Sequence, residues 1–492
     1  MLLHVNDSYF DATGITSDSR AVAPGFAFVA IRGTQVDGHA YIEQALKQGA
    51  TTIICEDAPD STLLRQYDNI KCVQVDNSAA AWGRLSSEWF GDPSRALKLV
   101  GVTGTNGKTT IATLLYELFS SLGNECGLIS TVANYVVRER VATSHTTPDA
   151  YEINELLARM VKAGCEYAFM EVSSHAAAQG RIAGLAFDGA IFTNLTRDHL
   201  DYHKTFEAYR DAKKSFFDML SADAFALVNK DDANGMYMLR DTEASKLSYA
   251  IDNDSASYNG NIKSSALDGM DIAISYHGGT LTNSQGEVEY SRDCLVHTRL
   301  VGGFNAYNVM AICGAALELG VRPEQLSNAF PSLEPAPGRF DVLHSAKGWA
   351  AIVDYAHTPD ALQNVLDAIN GLKGTDQRVV TVVGCGGNRD AGKRPQMARI
   401  AVDSSDFAIF TSDNPRLEEP DAIIDDMWAG LNDAQREGAK RVCDRHDAIH
   451  DACAGARSGD IILVAGKGHE DYQDARGVKR HFDDKEEIGL WL

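Results

Sequence analysis

Residues 98–110 read Lys-Leu-Val-Gly-Val-Thr-Gly-Thr-Asn-Gly-Lys-Thr-Thr, an apolar strand that runs directly into a glycine-rich turn and a Lys-Thr-Thr ending. Such a turn lets backbone amides converge on an anion at the positive end of the following helix. In this pattern Lys108 reaches the β- and γ-phosphates, and the hydroxyl of Thr109 meets Mg²⁺. The common P-loop spacing requires a glycine where this chain has Val102, and its glycines stand at 101, 104 and 107 instead. The stretch therefore predicts a variant nucleotide-binding loop.

Length and composition are those of a globular protein with several domains. At 492 residues the chain suggests about three domains. The net charge of −23 argues against nucleic acid or an anionic membrane as the main partner. The sequence has neither a membrane-spanning apolar run nor a basic, apolar leader, and its nine scattered cysteines fit neither a zinc site nor a disulfide framework. We therefore expect a cytoplasmic protein in a reducing compartment.

Apolar runs and helical spacing divide the chain into three α/β segments. Residues 1–95 predict a small domain with strands at 26–31 and 51–55 and a helix at 41–49. Residues 96–338 predict a mostly parallel sheet with strands at 97–102, 167–172, 190–194 and 225–229, and an antiparallel section at 270–300 with turns at Gly278-Gly279 and Gln285-Gly286. Residues 339–492 predict strands at 351–354, 379–383, 407–410 and 461–464.

Polar side chains cluster where the predicted central strands end, which is where open α/β sheets bind ligands. Glu171 closes one strand and could hold Mg²⁺ between nucleotide phosphates, although the Ser173-Ser174 run after it is also typical of a helix N-cap. His199 follows the next strand. A lone histidine is more often structural than a ligand, but the convergence of strand ends raises the ligand role to equal weight, so both roles stay open at this point. Lys213 and Lys214 lie in a predicted helix, 206–220, and composition alone makes them solvated lysines.

Three loops follow apolar strands in the last segment. Residues 384–390 read Gly-Cys-Gly-Gly-Asn-Arg-Asp, residues 411–416 read Thr-Ser-Asp-Asn-Pro-Arg, and residues 466–470 read Gly-Lys-Gly-His-Glu. Arginine in such a loop suits a bidentate grip on a carboxylate or phosphate. The glycines at 384–387 are weak evidence for a dinucleotide, because helix capping explains them equally well. Asn-Pro is also a good turn former, so a surface turn is the alternative interpretation of 411–416.

Six motifs in order resemble those of the Mur ligases, the ATP-dependent amino-acid-adding enzymes of peptidoglycan synthesis. They are Gly104-Thr-Asn-Gly-Lys-Thr-Thr, Glu171-Val-Ser-Ser-His, Asn194-Leu-Thr-Arg-Asp-His-Leu-Asp-Tyr-His, Gly303-Phe-Asn-Ala-Tyr-Asn, Pro337-Gly-Arg and Asp354-Tyr-Ala-His-Thr-Pro. The resemblance covers most of the chain, from about residue 14 to 485. It implies a UDP-binding first domain, a central P-loop ATPase domain and a C-terminal Rossmann-like domain.

The resemblance also implies a reaction. ATP would phosphorylate the D-glutamyl γ-carboxylate of UDP-MurNAc-L-Ala-D-Glu to an acyl phosphate, which an amine then attacks. Lys108 and Mg²⁺ would offset the charge on the transferring phosphoryl group. Thr109 and Glu171 would bind one Mg²⁺, and His199 a second. Lys213 is implied to carry CO₂ as a carbamate, an anionic oxygen ligand for Mg²⁺. Lys108, Lys213 and His199 are thus the implied catalytic residues.

The family pattern implies binding positions as well. For ATP they are Gly104, Thr105, Asn106, Gly107, Lys108, Thr109, Thr110, Asn305, Asn308, Arg339 and Asp354. For the UDP-sugar dipeptide they are Ser17, Ser19, Thr34, Gln35, Val36, His145, Thr146, Thr147, Ser173, Gln179 and Arg181. His145 stands where relatives often have asparagine, and Ser17 replaces a commoner apolar residue.

One loop predicts which amino acid is added. Asp413-Asn414-Pro415-Arg416 matches the signature of family members that add meso-diaminopimelate, because arginine can grip the carboxylate that lysine lacks. Arg389, Gly466 and Glu470 match the rest of that site, and Glu470 suits an ammonium group.

Competing activities receive less support from the residues. Lysine addition and folylpolyglutamate synthesis are sibling activities that this loop and the full first domain argue against. A regulatory nucleotide-binding module without ligation is at odds with the presence of Lys108, Glu171, His199 and Lys213. Family habit favours a monomer.

Overall fold

The computed structural model of the chain describes residues 1–33, 36–67, 69–143, 145–277 and 293–492. Thr34, Gln35 and the turns predicted at Gly278-Gly279 and Gln285-Gly286 lie outside the described residues. The chain forms two compact units, Met1–Ser248 and Tyr249–Leu492. Among the described residues, no helix combines the length and the apolar character that crossing a bilayer requires.

The first unit begins with an antiparallel hairpin, Leu2–Val5 with Ser8–Asp11. A parallel sheet follows, with the strand order Gly14–Thr16, Phe26–Val29, Thr52–Cys55 and Lys71–Gln74. Its helices are Ile42–Lys47, Ser61–Leu64 and Ser78–Trp89, with short 3-10 turns at Ser19–Ala21, Gly38–Tyr41 and Pro93–Ala96. Alternating side chains enter two apolar clusters, so Ile53 and Ile54 pack on opposite faces of the sheet. The strands and helix predicted in this segment are confirmed.

A larger sheet occupies the rest of the first unit. The first seven strands of this eleven-stranded sheet are, in order, Glu139–Val141, Asn134–Val136, Cys126–Ile129, Tyr167–Glu171, Lys98–Thr103, Gly189–Phe192 and Phe225–Asn229. The strands from Cys126–Ile129 onward run parallel, and those at the other edge are antiparallel. Its helices are Lys108–Ser121, Ala150–Lys162, Ser174–Ala178, Leu200–His203, Phe206–Asp218 and Gly235–Met238. The predicted central strands are confirmed, with small shifts at their ends.

The second unit starts with an antiparallel section. Tyr258–Ala266, Gly269–Tyr276 and Cys294–Thr298 pair in that order, and Ser245–Ile251 pairs in parallel with the first of them. The helices Gly303–Glu318 and Pro323–Ala329 and a 3-10 turn, Phe330–Ser332, follow. The antiparallel section predicted at 270–300 is thus confirmed over the described residues.

The other sheet of the second unit has the strand order Asp341–His344, Ala350–Asp354, Ile461–Ala465, Val379–Cys385, Phe407–Ser412 and Ala439–Arg441. The first strand is antiparallel to its neighbour and the others run parallel. The surrounding elements are the helices Pro359–Leu372, Arg394–Asp403, Pro420–Trp428, Asp433–Glu437, Arg445–Ala454 and Asp484–Gly489, the 3-10 turn Ala391–Lys393, and the hairpin Tyr472–Ala475 with Val478–His481. The predicted α/β fold class is confirmed.

Candidate active site

Loops at the carboxyl ends of adjacent parallel strands form the predicted phosphate-binding region. Lys98–Thr103 and Gly189–Phe192 pair in register, so the loops that follow them lie side by side. The amide of Thr105 donates to the carbonyl oxygen of Asn194 at 2.8 Å, and the amide of Asn106 donates to Asn194 Oδ1 at 2.9 Å. The loop backbone is therefore fixed by the protein itself.

The glycines of this region have different roles. Gly104 has a φ of +150°, and a Cβ there would overlap Thr193 Oγ1. Gly107 has a φ of +88° and directly precedes the helix Lys108–Ser121. Both backbone conformations favour glycine. Gly101, in contrast, lies inside its strand, where a Cβ would be 2.5 Å from Phe216 Cζ. The unusual glycine at 101 therefore serves strand packing, and the loop proper starts at 104.

Lys108 and Lys213 converge on this loop. Lys108 Nζ donates to the carbonyl oxygens of Gly104 and Thr105 at 2.9 and 2.8 Å, and Lys213 Nζ donates to the same Gly104 oxygen at 2.7 Å. Lys213 is 2% exposed. Burial lowers the pKa of Lys213 well below its usual value, and the charge of Lys108 acts in the same direction. The interpretation of Lys213 as a solvated lysine is therefore wrong.

Lys214 is also buried, but it faces a different environment. Its Nζ pairs with Asp218 Oδ1 at 2.6 Å and with the carboxylate of Asp241. The solvated interpretation is wrong for this residue too. Successive helical residues point about 100° apart, which sends Lys213 to the loop and Lys214 to the carboxylates.

Glu171 is held at the carboxyl end of its strand. Its Oε1 accepts hydrogen bonds from Ser130 Oγ at 2.6 Å and from the amide of Thr131 at 2.8 Å, and the residue is 1% exposed. Ser173 caps the next helix by accepting from the amide of Ala176. The helix cap proposed as an alternative therefore exists, but it is formed by Ser173 and leaves the Glu171 carboxylate to other contacts.

His199 lies in an aromatic cluster near the same loop. Its backbone φ is +53°, a conformation that is uncommon outside glycine and concentrates at functional sites. Its ring centroid is 4.8 Å from that of His175 and 6.2 Å from that of Tyr209. The hydroxyl of Tyr209 lies 3.1 Å from Thr105 Oγ1, so one buried tyrosine contacts both His199 and the loop.

Several of the positions predicted to bind the UDP-sugar dipeptide lie next to Glu171. Thr147 Oγ1 donates to the Glu171 carbonyl oxygen at 2.8 Å and accepts from the Ser173 amide at 3.0 Å. Arg181 donates to the Thr147 carbonyl oxygen at 2.7 Å and to Gln179 Oε1 at 2.6 Å. Thr146 accepts a hydrogen bond from Thr131. The structure thus brings Thr146, Thr147, Ser173, Gln179 and Arg181 together.

The remaining predicted substrate positions lie elsewhere in the first unit. His145 is exposed, and its carbonyl oxygen accepts from Thr143 Oγ1 at 2.8 Å. Ser19 is buried, and its Oγ donates to Gln44 Oε1 at 3.3 Å. Ser17 is partly buried, and Val36 is exposed.

Two pairs in the second unit carry the rest of the predicted ATP positions. Asn308 Nδ2 donates to Asn305 Oδ1 at 2.8 Å on the buried helix Gly303–Glu318. Asp354 accepts from the amides of Phe340 and Ala356, each at 2.7 Å. Burial raises the pKa of Asp354, while the charge of Arg339 opposes the shift. Arg339 also stacks over the Tyr355 ring, 4.6 Å from its centroid.

The predicted amino-acid site is built from the loops that follow Phe407–Ser412 and Ile461–Ala465. Asn414 Nδ2 donates to Glu470 Oε2 at 2.6 Å, and Asn414 Oδ1 accepts from the Asp474 amide at 2.8 Å. Gly466 has a φ of +115°, and a Cβ there would be 2.7 Å from Asp413 Oδ2. Because Asp413 and Asn414 are buried, the surface-turn interpretation of this loop is wrong.

Arg416 and Arg389 flank Gly386 beside that loop. A Cβ at Gly386 would be 2.8 Å from Arg416 NH1 and 3.9 Å from Arg389 Cγ. Arg416 NH1 donates to the Gly387 carbonyl oxygen at 2.9 Å, and its backbone φ is +52°. Within the part of the chain that the structure describes, neither guanidinium lies within ion-pair distance of a carboxylate. This is a pair of cations suited to an anionic ligand.

Sequence reasoning missed several residues that support these sites. Ser130 and Thr131 hold Glu171, Tyr209 holds Thr105, and buried Lys467 lies 3.4 Å from Glu470. Ser130 and Thr131 follow the strand Cys126–Ile129, which is not among the strands predicted from the sequence, so the rule that ligands gather at strand ends could not point to them.

Comparison with known proteins agrees with this geometry. The chain matches the Mur ligase family, catalytic domain over residues 11–89, the Mur ligase middle domain over 102–316 and the Mur ligase, glutamate ligase domain over 338–468. It is 54% identical over 97% of its length to a UDP-N-acetylmuramoyl-L-alanyl-D-glutamate--2,6-diaminopimelate ligase of Parabacteroides distasonis, 94% of which is covered. The chain belongs to the Mur ligase family. The predicted family is confirmed.

Other Mur ligases support the assignment. A relative with the same name from Phocaeicola vulgatus is 50% identical over 98% of this chain and 95% of its own. A solved structure of that name has a TM-score of 0.68 with 33% identity, and it covers 97% of this chain and 94% of its own.

Proposed function

We propose that this Mur ligase adds meso-diaminopimelate to UDP-MurNAc-L-Ala-D-Glu in peptidoglycan precursor synthesis, with release of ADP and phosphate. The observation that carries the proposal is the 54% identity over nearly the whole chain to a ligase named for that reaction. The Arg389 and Arg416 pair supports the choice of amino acid, because it offers two guanidinium groups to the carboxylate that distinguishes diaminopimelate from lysine. Glu470 and Asp413 would bind the ammonium group of diaminopimelate that does not take part in the reaction.

The residues around Gly104–107 fit a magnesium nucleotide. Both hydrogen bonds that the Glu171 side chain accepts from described residues end on Oε1, which leaves Oε2 for a cation. Thr109 is buried in the first turn of the helix that the loop precedes. Thr109 and Glu171 would hold one Mg²⁺ and His199 a second, with carbamylated Lys213 as a further oxygen ligand, and Mg²⁺ would neutralise phosphate charge during transfer. Among the described residues, no group of three or more His, Cys, Asp and Glu side chains is arranged to bind a metal.

In the proposed mechanism the chain's own residues position the reactants. Lys108 would leave the Gly104 and Thr105 carbonyl oxygens for the β- and γ-phosphates. The D-glutamyl γ-carboxylate attacks the γ-phosphorus, ADP departs, and an acyl phosphate forms. The free amine of diaminopimelate then attacks the acyl carbon, and phosphate leaves as the amide forms. Arg181 and Thr147, beside Glu171, would hold the dipeptide for the first step.

The lowered pKa of Lys213 supports its proposed carbamylation. Carbamate formation requires a neutral amine to attack CO₂, and burial next to Lys108 favours the neutral form. The product is an anion, which the neighbouring Lys108 ammonium and Mg²⁺ would stabilise.

Each segment of the chain would bind one of the substrates. Residues 1–95 would bind the UDP-sugar, residues 96–338 would bind ATP, and residues 339–492 would bind the amino acid. The family resemblance also favours a monomeric, cytoplasmic enzyme.

The proposed function is tested by phosphate release from ATP. We expect release to require both UDP-MurNAc-L-Ala-D-Glu and meso-diaminopimelate. Replacing the latter with L-lysine should reduce kcat/KM by at least about 30-fold, because unpaired arginine groups then remain in the site. Equal rates with lysine would overturn the amino-acid assignment, and phosphate release without any amino acid would overturn the ligation mechanism.

A further inference from the structure

The hydrogen bonds of Glu171 extend beyond the carboxylate itself. Ser130 is fully buried, and its hydroxyl and the Thr131 amide both donate to the same oxygen, Glu171 Oε1. Because two adjacent donors hold the same oxygen, they leave the carboxylate little rotational freedom. A charged acceptor makes each of these bonds stronger than a neutral pair would be.

The same short segment, Ser130-Thr131, contacts residues predicted to bind the UDP-sugar dipeptide. Thr131 Oγ1 donates to Thr146 Oγ1 at 3.0 Å. The next residue, Thr147, is 1% exposed and donates to the Glu171 carbonyl oxygen. Thr131 therefore donates to Glu171 through its backbone and to Thr146 through its side chain. The Glu171 carboxylate and the residues Thr146 and Thr147 are thus held by the same segment.

A further buried group lies in this network. The Ser130 amide donates to Asn134 Oδ1 at 3.2 Å, and Asn134 is fully buried. Asn134 Nδ2 has no hydrogen-bond partner among the described residues. An unsatisfied buried amide is costly, which is consistent with a network that is completed only when ligands arrive.

We propose that Ser130 and Thr131 are positioning residues that orient the Glu171 carboxylate and couple binding of the divalent cation with nucleotide to binding of the UDP-sugar dipeptide. The proposal rests on the proposed function for the identity of the second ligand. Coupling is expected because a ligand that orders Thr146 also orders the support of Glu171.

Binding of Mn²⁺ with ADP, followed by calorimetry and by electron paramagnetic resonance of Mn²⁺, tests the orienting role without turnover. Ser130→Ala should weaken Mn²⁺ affinity about 10- to 100-fold, the range for residues that support metal ligands. Ser130→Thr retains the hydroxyl and should recover most of that affinity. Wild-type Mn²⁺ affinity in Ser130→Ala, with the variant folded as judged by circular dichroism, would overturn the orienting role.

The coupling is tested by the same titration with and without saturating UDP-MurNAc-L-Ala-D-Glu. We expect the dipeptide to tighten Mn²⁺·ADP binding in the wild-type protein. Thr131→Val keeps the hydrogen bond from the backbone amide to Glu171 and replaces only the side-chain hydroxyl. It should therefore reduce the coupling factor about two- to tenfold and leave the Mn²⁺·ADP affinity without the UDP-sugar dipeptide within about twofold. An unchanged coupling factor in Thr131→Val would overturn the proposal. Failure of the wild-type protein to bind the dipeptide would instead contradict the proposed function.

Discussion

Replacing Lys213 with alanine should reduce kcat for phosphate release about 10²–10³-fold, the loss expected when one preorganised electrostatic group of an active site is removed. Lys213 is fully buried and donates to the Gly104 carbonyl oxygen inside the predicted phosphate loop. No other buried lysine of this helix offers a substitute, because Lys214 is engaged with Asp218 and Asp241. Initial rates at saturating substrates measure the effect.

Lys214→Ala is the matched control on the same helix. It removes two ion pairs with exposed carboxylates together with the buried stem of Lys214, so we expect a loss of roughly 1–3 kcal/mol in the free energy of unfolding and a kcat within about twofold of wild type. Thermal denaturation measures the first effect and the same assay measures the second. Equal losses of kcat in both variants would show that the helix, and not Lys213, is responsible.

Lys213→Arg separates a carbamate from a simple cation. Arginine keeps the positive charge but cannot form this carbamate, so it should be as inactive as alanine if the carbamate is the working form. Partial activity of Lys213→Arg would favour a cationic role instead. Wild-type protein in ¹³C-bicarbonate should also show a carbamate carbon signal by NMR that Lys213→Ala lacks. A signal in both proteins would place the carbamate elsewhere.

The strands were predictable from sequence because a parallel sheet is buried on both faces. In Lys98–Thr103 the side chains of Leu99, Val100 and Val102 are all fully buried, so the strand reads as a continuous apolar run. Cys126–Ile129 reads Cys-Gly-Leu-Ile, an apolar run interrupted by glycine, and Ser130 and Thr131 were missed with it. The end of an unrecognised strand cannot direct attention to the polar residues that follow.

The two adjacent lysines show where composition fails. The pattern that separates them is helical: Tyr209 lies four residues before Lys213, and Asp218 lies four residues after Lys214. The four-residue spacing of Lys214 and Asp218 is that of a helical ion pair, so this contact could be predicted from the sequence. Lys213, in contrast, donates a hydrogen bond to the carbonyl oxygen of Gly104, which is far away in the chain. Periodicity alone carries no information on such a contact.

Gly101 illustrates the reverse error of assigning a local role to a residue with a distant partner. Gly101 is one of the glycines that define the variant loop in the sequence, but the side chain that requires a glycine there is Phe216. In the second unit, burial of Asp413 and Asn414 likewise comes from loops separated in sequence, which join through Asn414 and Glu470. Motif matching located this loop, and only tertiary structure could show that it is not an exposed turn.

Arg416→Ala should lower kcat/KM for meso-diaminopimelate by about 30- to several-thousand-fold, which corresponds to roughly 2–5 kcal/mol for loss of a charge-assisted contact to a substrate carboxylate. The side chain is held by the Gly387 carbonyl oxygen at 2.9 Å, so its guanidinium is oriented before substrate binds. The effect should appear mainly in KM for the amino acid. The KM for ATP should stay within about twofold.

Arg476→Ala is a matched control for this substitution. Arg476 has a φ of +54°, close to the +52° of Arg416, so alanine meets the same left-handed backbone strain at both positions. The side chain of Arg476 pairs with Glu419, and both groups are largely exposed, so its loss should change stability by less than about 1 kcal/mol. Any excess loss of activity in Arg416→Ala is then due to its guanidinium.

Arg416→Lys distinguishes a bidentate carboxylate contact from charge alone. Lysine keeps the positive charge but offers a single rotating ammonium in place of a planar fork, so we expect a KM for meso-diaminopimelate between those of wild type and Arg416→Ala. Discrimination against L-lysine should fall in the same order, because only diaminopimelate has the distal carboxylate. If Arg416→Ala keeps both the wild-type KM and the wild-type discrimination, Arg416 does not bind the substrate carboxylate, and Arg389 becomes the residue to test.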